Sequence, residues 1–197
     1  MIILKPLNCF NLFVLCHVLL NALLVPLNSF QSVLAIEIYH MNAYVLSVLG
    51  VMMTIGMSLG SFIYPLIEKK SSVKFILLSC LMMQGLFYIS LIMLKKLTST
   101  IMIFYIVLSI ISFVFGIFVA MGSSCVSVVT MKTIKKEYIA RLMAIISAIA
   151  TLCLPMTSFI LGIVSHYISI SMIFIFFGMM CIILTLLLIK LNFKEYF

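Results

Sequence analysis

Six long uncharged runs, separated by short clusters that hold nearly all the charge, fill almost the whole of this 197-residue chain. The runs cover residues 6–36, 41–67, 75–94, 97–131, 142–165 and 167–189. A hydrocarbon core of about 30 Å takes about 20 helical residues to cross, and each run meets that length. In lipid the backbone must satisfy its own hydrogen bonds, which leaves helices or closed barrels. Barrel strands of about 10 residues with polar alternation do not fit runs this long. The expectation is an all-α membrane protein, residues 1–197 forming a single six-transmembrane-helix bundle.

Composition excludes the rival classes. Hydrophobic residues make up 66% and charged residues 8%, against about 25% charged in an ordinary soluble domain, and the mean hydropathy is +1.42. A net charge of +8 would suggest nucleic acid in a soluble protein. Here the lysines sit at span ends instead of on one basic face, so no nucleic-acid partner is expected. Lys5, Lys69, Lys70, Lys74, Lys132, Lys135, Lys136, Arg141, Lys190 and Lys194 fall on one side of the membrane, and Lys95 and Lys96 on the other. The positive-inside rule then places both termini in the cytoplasm. The six cysteines are scattered singly, with no C-x-x-C spacing. They read as small buried hydrophobes, not disulfides or metal ligands.

A displacement of 97 residues lays the first three runs on the last three and pairs Ser61-Phe62-Ile63 with Ser158-Phe159-Ile160. Three spans is an odd number, so the two copies cross the bilayer in opposite directions. This is a 3+3 inverted repeat, the arrangement inside half of a secondary transporter.

The first run is the most polar. His17, Asn21, Asn28 and Ser32 follow helical spacing along one face, Gln31 lies beside them, and Pro26 breaks the hydrogen-bond ladder between the two asparagines. Amides at a helix break offer donors and acceptors to a substrate; the alternative is interhelical hydrogen bonding. His17, the ionisable group well inside a run, is a proton-relay candidate or a neutral histidine bonded to a neighbouring backbone. Glu37 follows the run with His40 nearby, either a carboxylate at the mouth or a solvated helix-end residue.

Small residues line the fourth run at Ser109, Ser112, Gly116, Ala120, Ser123 and Ser127, with Ser124 alongside. The polar end, Ser123, Ser124 and Ser127, suits a cavity wall, and the rest suits close packing. Gly56-x-x-x-Gly60 and Ala140-x-x-x-Ala144-x-x-x-Ala148 are further packing motifs. H-E-x-x-H, G-x-S-x-G, a phosphate-binding glycine loop and paired carboxylates within a span are all missing from the sequence. No enzyme, cofactor or metal site is expected.

Two stretches, LLNALLVPLNSFQSVLAIEIYHMNAYVLSVLGVMMTIGMSLGSFIYPLIEKK and KKEYIARLMAIISAIATLCLPMTSFILGIV, resemble the C-terminal half of a major facilitator superfamily (MFS) transporter. They are most similar to the bacterial drug and macrolide efflux permeases. Glu137 and Arg141 match the acidic and arginine positions before that family's penultimate helix, and Pro155 and Gly162 match the helix's proline and glycine. Ala140 stands where the family commonly has glycine. The resemblance implies efflux of a small amphiphilic compound across the cytoplasmic membrane by alternating access, with cavity-lining first and fourth spans. It also implies a gating contact at Glu137 and Arg141, which stand one helical turn apart and would pair. The family needs twelve spans, so a second six-helix half is expected on a separate chain, from a second copy, or lost by truncation. Two other classes share the size and topology: the substrate-binding membrane subunit of an energy-coupling-factor importer, and a membrane accessory or immunity protein acting through helix contacts alone.

Overall fold

The computed structural model describes residues 19–39, 44–98, 100–133 and 136–190. Every regular element among them is helical. A helical turn at residues 19–22 leads into α1 (Val25–Val33), which runs on as a π-helix over Leu34–Ile38. There follow α2 (Tyr44–Glu68), α3 (Val73–Leu97), α4 (Ile101–Thr133), α5 (Lys136–Val164) and α6 (Ile170–Lys190). Among the described residues five helical segments are long and apolar enough to cross a membrane: Leu19–Ile36, Tyr44–Glu68, Val73–Leu94, Ile101–Lys132 and Ile170–Ile189. In α5 the described apolar stretch is shorter, Pro155–Val164.

The surface is that of a protein in lipid. Phe62 is 79% exposed and Phe159 71% exposed, on helices whose mean hydropathy would drive a water-soluble chain to aggregate. This is an integral membrane protein.

Backbone approach through glycine holds the bundle together. Between α2 and α4, a Cβ at Gly56 or Gly60 would collide with the carbonyl oxygens of Phe113 and Ile117, and one at Gly116 with that of Met53. Helix backbones touch here because no side chain intervenes. Between α3 and α6 the contact is reciprocal: a Cβ at Gly85 would lie 2.7 Å from the Gly178 oxygen, and one at Gly178 3.0 Å from the Gly85 oxygen. By contrast, Ala140, Ala144 and Ala148 are exposed, so the alanine row expected to pack is not buried against the other described helices. Among the described side chains of α5 only Leu161 is buried, and that helix touches mainly α1.

Stacked aromatics fill the space between the glycine contacts. Phe87 of α3 lies parallel to Phe115 of α4 with centroids 3.9 Å apart, and Tyr88 meets Phe174 of α6 edge to face at 5.5 Å. Ser72 caps α3 by accepting the Phe75 amide. At the ends of α2 and α4, Lys132 bonds Glu68 at 2.6 Å. The lysine is 67% exposed, and exposed pairs of this kind contribute about 0–1 kcal/mol. Lys132→Ala is accordingly expected to leave the thermal midpoint in detergent almost unchanged; a large drop would show that the pair is shielded from solvent.

Candidate amide-lined cavity

The break in the first span is where the polar site forms. Pro26 has no N–H to donate, so the ladder opens at Leu23 and Leu24, and the helix restarts with the proline in its first turn. The Tyr88 hydroxyl of α3 enters the opening. It donates to the Leu23 carbonyl at 2.5 Å, and its own oxygen faces the Leu27 amide. One side chain thus bridges two backbone groups that would bond each other in a continuous helix.

Beside this break α1, α2, α3 and α4 enclose a cavity of about 320 Å³. Each helix lends residues one turn apart: Met53 and Met57 from α2, Cys80 and Gln84 from α3, Phe118 with Gly122 and Val119 with Ser123 from α4. Leu20, Asn21, Leu24 and Asn28 complete the wall from either side of the break. The lining is apolar with a few convergent amide and hydroxyl groups, and no charged side chain is among the described residues that form it. That composition is typical of small-molecule sites. Asn28, Met57 and Ser123 are exposed and mark the mouth, whereas Gln84 is 3% exposed and lies at the inner end.

Space for the inner wall depends on Gly122. A Cβ there would sit 3.3 Å from the Cys80 sulfur, which donates to the Phe118 carbonyl at 3.1 Å. Cys80 therefore does more than fill volume as a small hydrophobe: its thiol is tied to the α4 backbone inside the cavity wall. Among the described residues no acceptor lies within hydrogen-bond distance of the Gln84 Nε2, which neighbours the Tyr88 hydroxyl.

Of the residues expected from the sequence, the cavity gathers Asn21, Asn28 and Ser123. Gln31, Ser32, Ser124 and Ser127 do not line it; Ser127 bonds back to the Ser123 carbonyl at 3.1 Å. His17 and the Glu37 side chain lie outside the described residues. Glu137 and Arg141 fall within the first turns of α5, both exposed. They form no ion pair, contrary to the expected pairing, because each side chain reaches into open surroundings; the ion pair among the described residues is Glu68 with Lys132. Sequence reasoning missed Gln84, although it is the one amide in the run 75–94 and stands one turn from Cys80.

No protein-family model, curated protein or solved structure matches the chain, so the case for its function rests on the cavity itself.

Proposed function

We propose that this chain is one six-helix half of an MFS-type secondary transporter, moving a small amphiphilic compound outward by alternating access, with both termini cytoplasmic. The observation that carries the reading is the amide-lined cavity at the break in the first span, apolar enough for a drug-like body and polar enough to orient it.

Which helices touch follows an inverted repeat in part, although the contacts made by α1 are far smaller than those they map onto. A 3+3 relation exchanges α1 with α4, α2 with α5 and α3 with α6. Under it the contact of α2 with α4 maps onto that of α1 with α5, and the contact of α3 with α4 maps onto that of α1 with α6. The contact of α3 with α6 maps onto itself, in keeping with the reciprocal glycines Gly85 and Gly178. The Ser29 and Ser158 hydroxyls, 2.7 Å apart, tie α1 to α5.

A second half gains support from what this half leaves uncovered. Most of the described side chains of α5 are exposed, including its alanine row, and exposed Thr54, Ser58 and Ser61 lie along α2 with their hydroxyls turned back to their own helix. Small and hydroxyl-bearing faces are the ones that pack helix on helix in membranes.

Cellular accumulation of a fluorescent drug-like amphiphile tests the proposal, measured with this chain alone and with a six-span partner. Accumulation is expected to fall when the working combination is present, and Asn28→Leu is expected to restore most of it. Equal accumulation in every combination would remove the transport reading.

A further inference from the structure

Resting on the cavity being a ligand site, we infer that Gln84 is its recognition donor, and that the ligand presents an uncharged hydrogen-bond acceptor, such as a ketone, ester or amide carbonyl, to the inner end. Three observations converge on this. First, the Gln84 side chain is almost wholly buried, yet among the described residues no acceptor lies within hydrogen-bond distance of its Nε2. A buried amide that served as interhelical glue would be paired, since native structures leave few such groups unsatisfied. Second, the polar neighbours cannot satisfy the whole amide: the Tyr88 hydroxyl beside it, which gives its proton to the Leu23 carbonyl and already faces the Leu27 amide, can accept at most one of the two Nε2 hydrogens, and the Cys80 sulfur, donating to the Phe118 carbonyl, is a weak acceptor. Third, the amide borders a cavity of about 320 Å³ that reaches the surface past Asn28 and Ser123, at the lower end of the about 300–1,000 Å³ usual for small-molecule sites.

The same wall fixes the charge of what enters. An ion at the inner end would lose its hydration with no opposite charge to replace it, because the described lining holds none. A neutral acceptor on a flat apolar body loses little. Its oxygen takes the free N–H of Gln84, and its hydrocarbon lies against Met53, Met57 and Phe118. Ser123 and Asn28 at the mouth remain available to a second polar group.

Prodan, an uncharged naphthyl ketone, and the same dimethylaminonaphthalene without its ketone are suitable probes, titrated into the full chain in lipid nanodiscs against protein-free discs. Saturable binding of prodan to the wild type is expected. Gln84→Met, which keeps the length and removes the donor, should weaken prodan about tenfold while changing the ketone-free probe less than about twofold. The thermal midpoint of unliganded Gln84→Met should hold or rise, since an unpaired buried amide has been removed. Gln84→Asn, with the amide drawn back by one methylene, should fall between. If Gln84→Met weakens both probes alike, or neither, Gln84 is not the donor although the cavity still binds. If Gln84→Met fails to fold while Gln84→Asn folds, the amide is structural and the inference falls. If the wild type shows no saturable binding of either probe, the cavity itself is not a ligand site, and the proposed function loses its support too.

Discussion

Gly116→Val is expected to leave no stable bundle, the largest single-residue effect in this fold. The interface of α2 with α4 is the most extensive in the structure, and it is set by glycines that meet carbonyl oxygens: Gly116 against Met53, Gly56 against Phe113 and Gly60 against Ile117. A flexible side chain can swing away from a new methyl group, but a helical backbone cannot. The two helices must therefore part along their length, and the Phe87 and Phe115 stack and the buried neighbours around it lose contact together. Overpacking costs about 1–3 kcal/mol where the core can adjust; here the clash is with backbone, and a loss above about 4 kcal/mol is expected. Size-exclusion profile and thermal midpoint in detergent give the readout. Gly162→Ala is the matched control. Nothing lies within 4 Å of a Cβ at that position, and alanine is favoured over glycine in a helix by about 0.5–1 kcal/mol, so the control should be neutral or stabilising. Equal behaviour of the two variants would show that the helices are not held at backbone contact.

The contrast between these glycines shows which parts of the molecule can be read from sequence. Span positions follow from length and hydropathy, because the bilayer imposes a thickness that each helix must meet. Gly56-x-x-x-Gly60 was visible as a motif of small residues. Its partner surface at Phe113, Met53 and Ile117 was not, since spacing within one helix carries no record of the neighbour. Ala140, Ala144 and Ala148 have the same spacing and stay exposed among the described residues. The site divides the same way. Asn21 and Asn28 stood out because Pro26 lies between them and a break frees backbone groups. Gln84 sits in an unbroken apolar run, and nothing local marks it; only the fold, by burying its Nε2 beside a cavity with no acceptor within bonding distance among the described residues, sets it apart from an ordinary interhelical amide. Sequence proximity groups Ser124 and Ser127 with Ser123. Helical rotation of about 100° per residue turns Ser124 to another face, and Ser127, one turn beyond, closes onto its own backbone.

Tyr88→Phe is expected either to abolish saturable prodan binding at an unchanged stability or to weaken that binding with a stability loss of about 1–3 kcal/mol. The hydroxyl is the whole difference between the two side chains, so the edge-to-face contact with Phe174 persists while the bond to the Leu23 carbonyl is lost. Two backbone groups then face a buried, water-poor interior, the Leu23 carbonyl and the Leu27 amide, and each costs free energy when left unmade. The chain has one way to recover that loss, which is to close the ladder so that Leu27 donates to Leu23. Closure rotates and shifts everything before the break, carrying Leu20, Asn21 and Leu24 out of the cavity wall that they form with Asn28. Stability and the site are thus coupled through one oxygen: the more fully the helix heals, the more of the cavity is lost. A thermal midpoint in detergent and a nanodisc titration, run on the same preparation, separate the two consequences. An unchanged midpoint with binding lost reports a healed helix, and a lowered midpoint with weakened binding reports an open one. Wild-type values of both would show that the break between Asn21 and Asn28 is held by Pro26 alone and that the tyrosine hydroxyl takes no part in shaping the site.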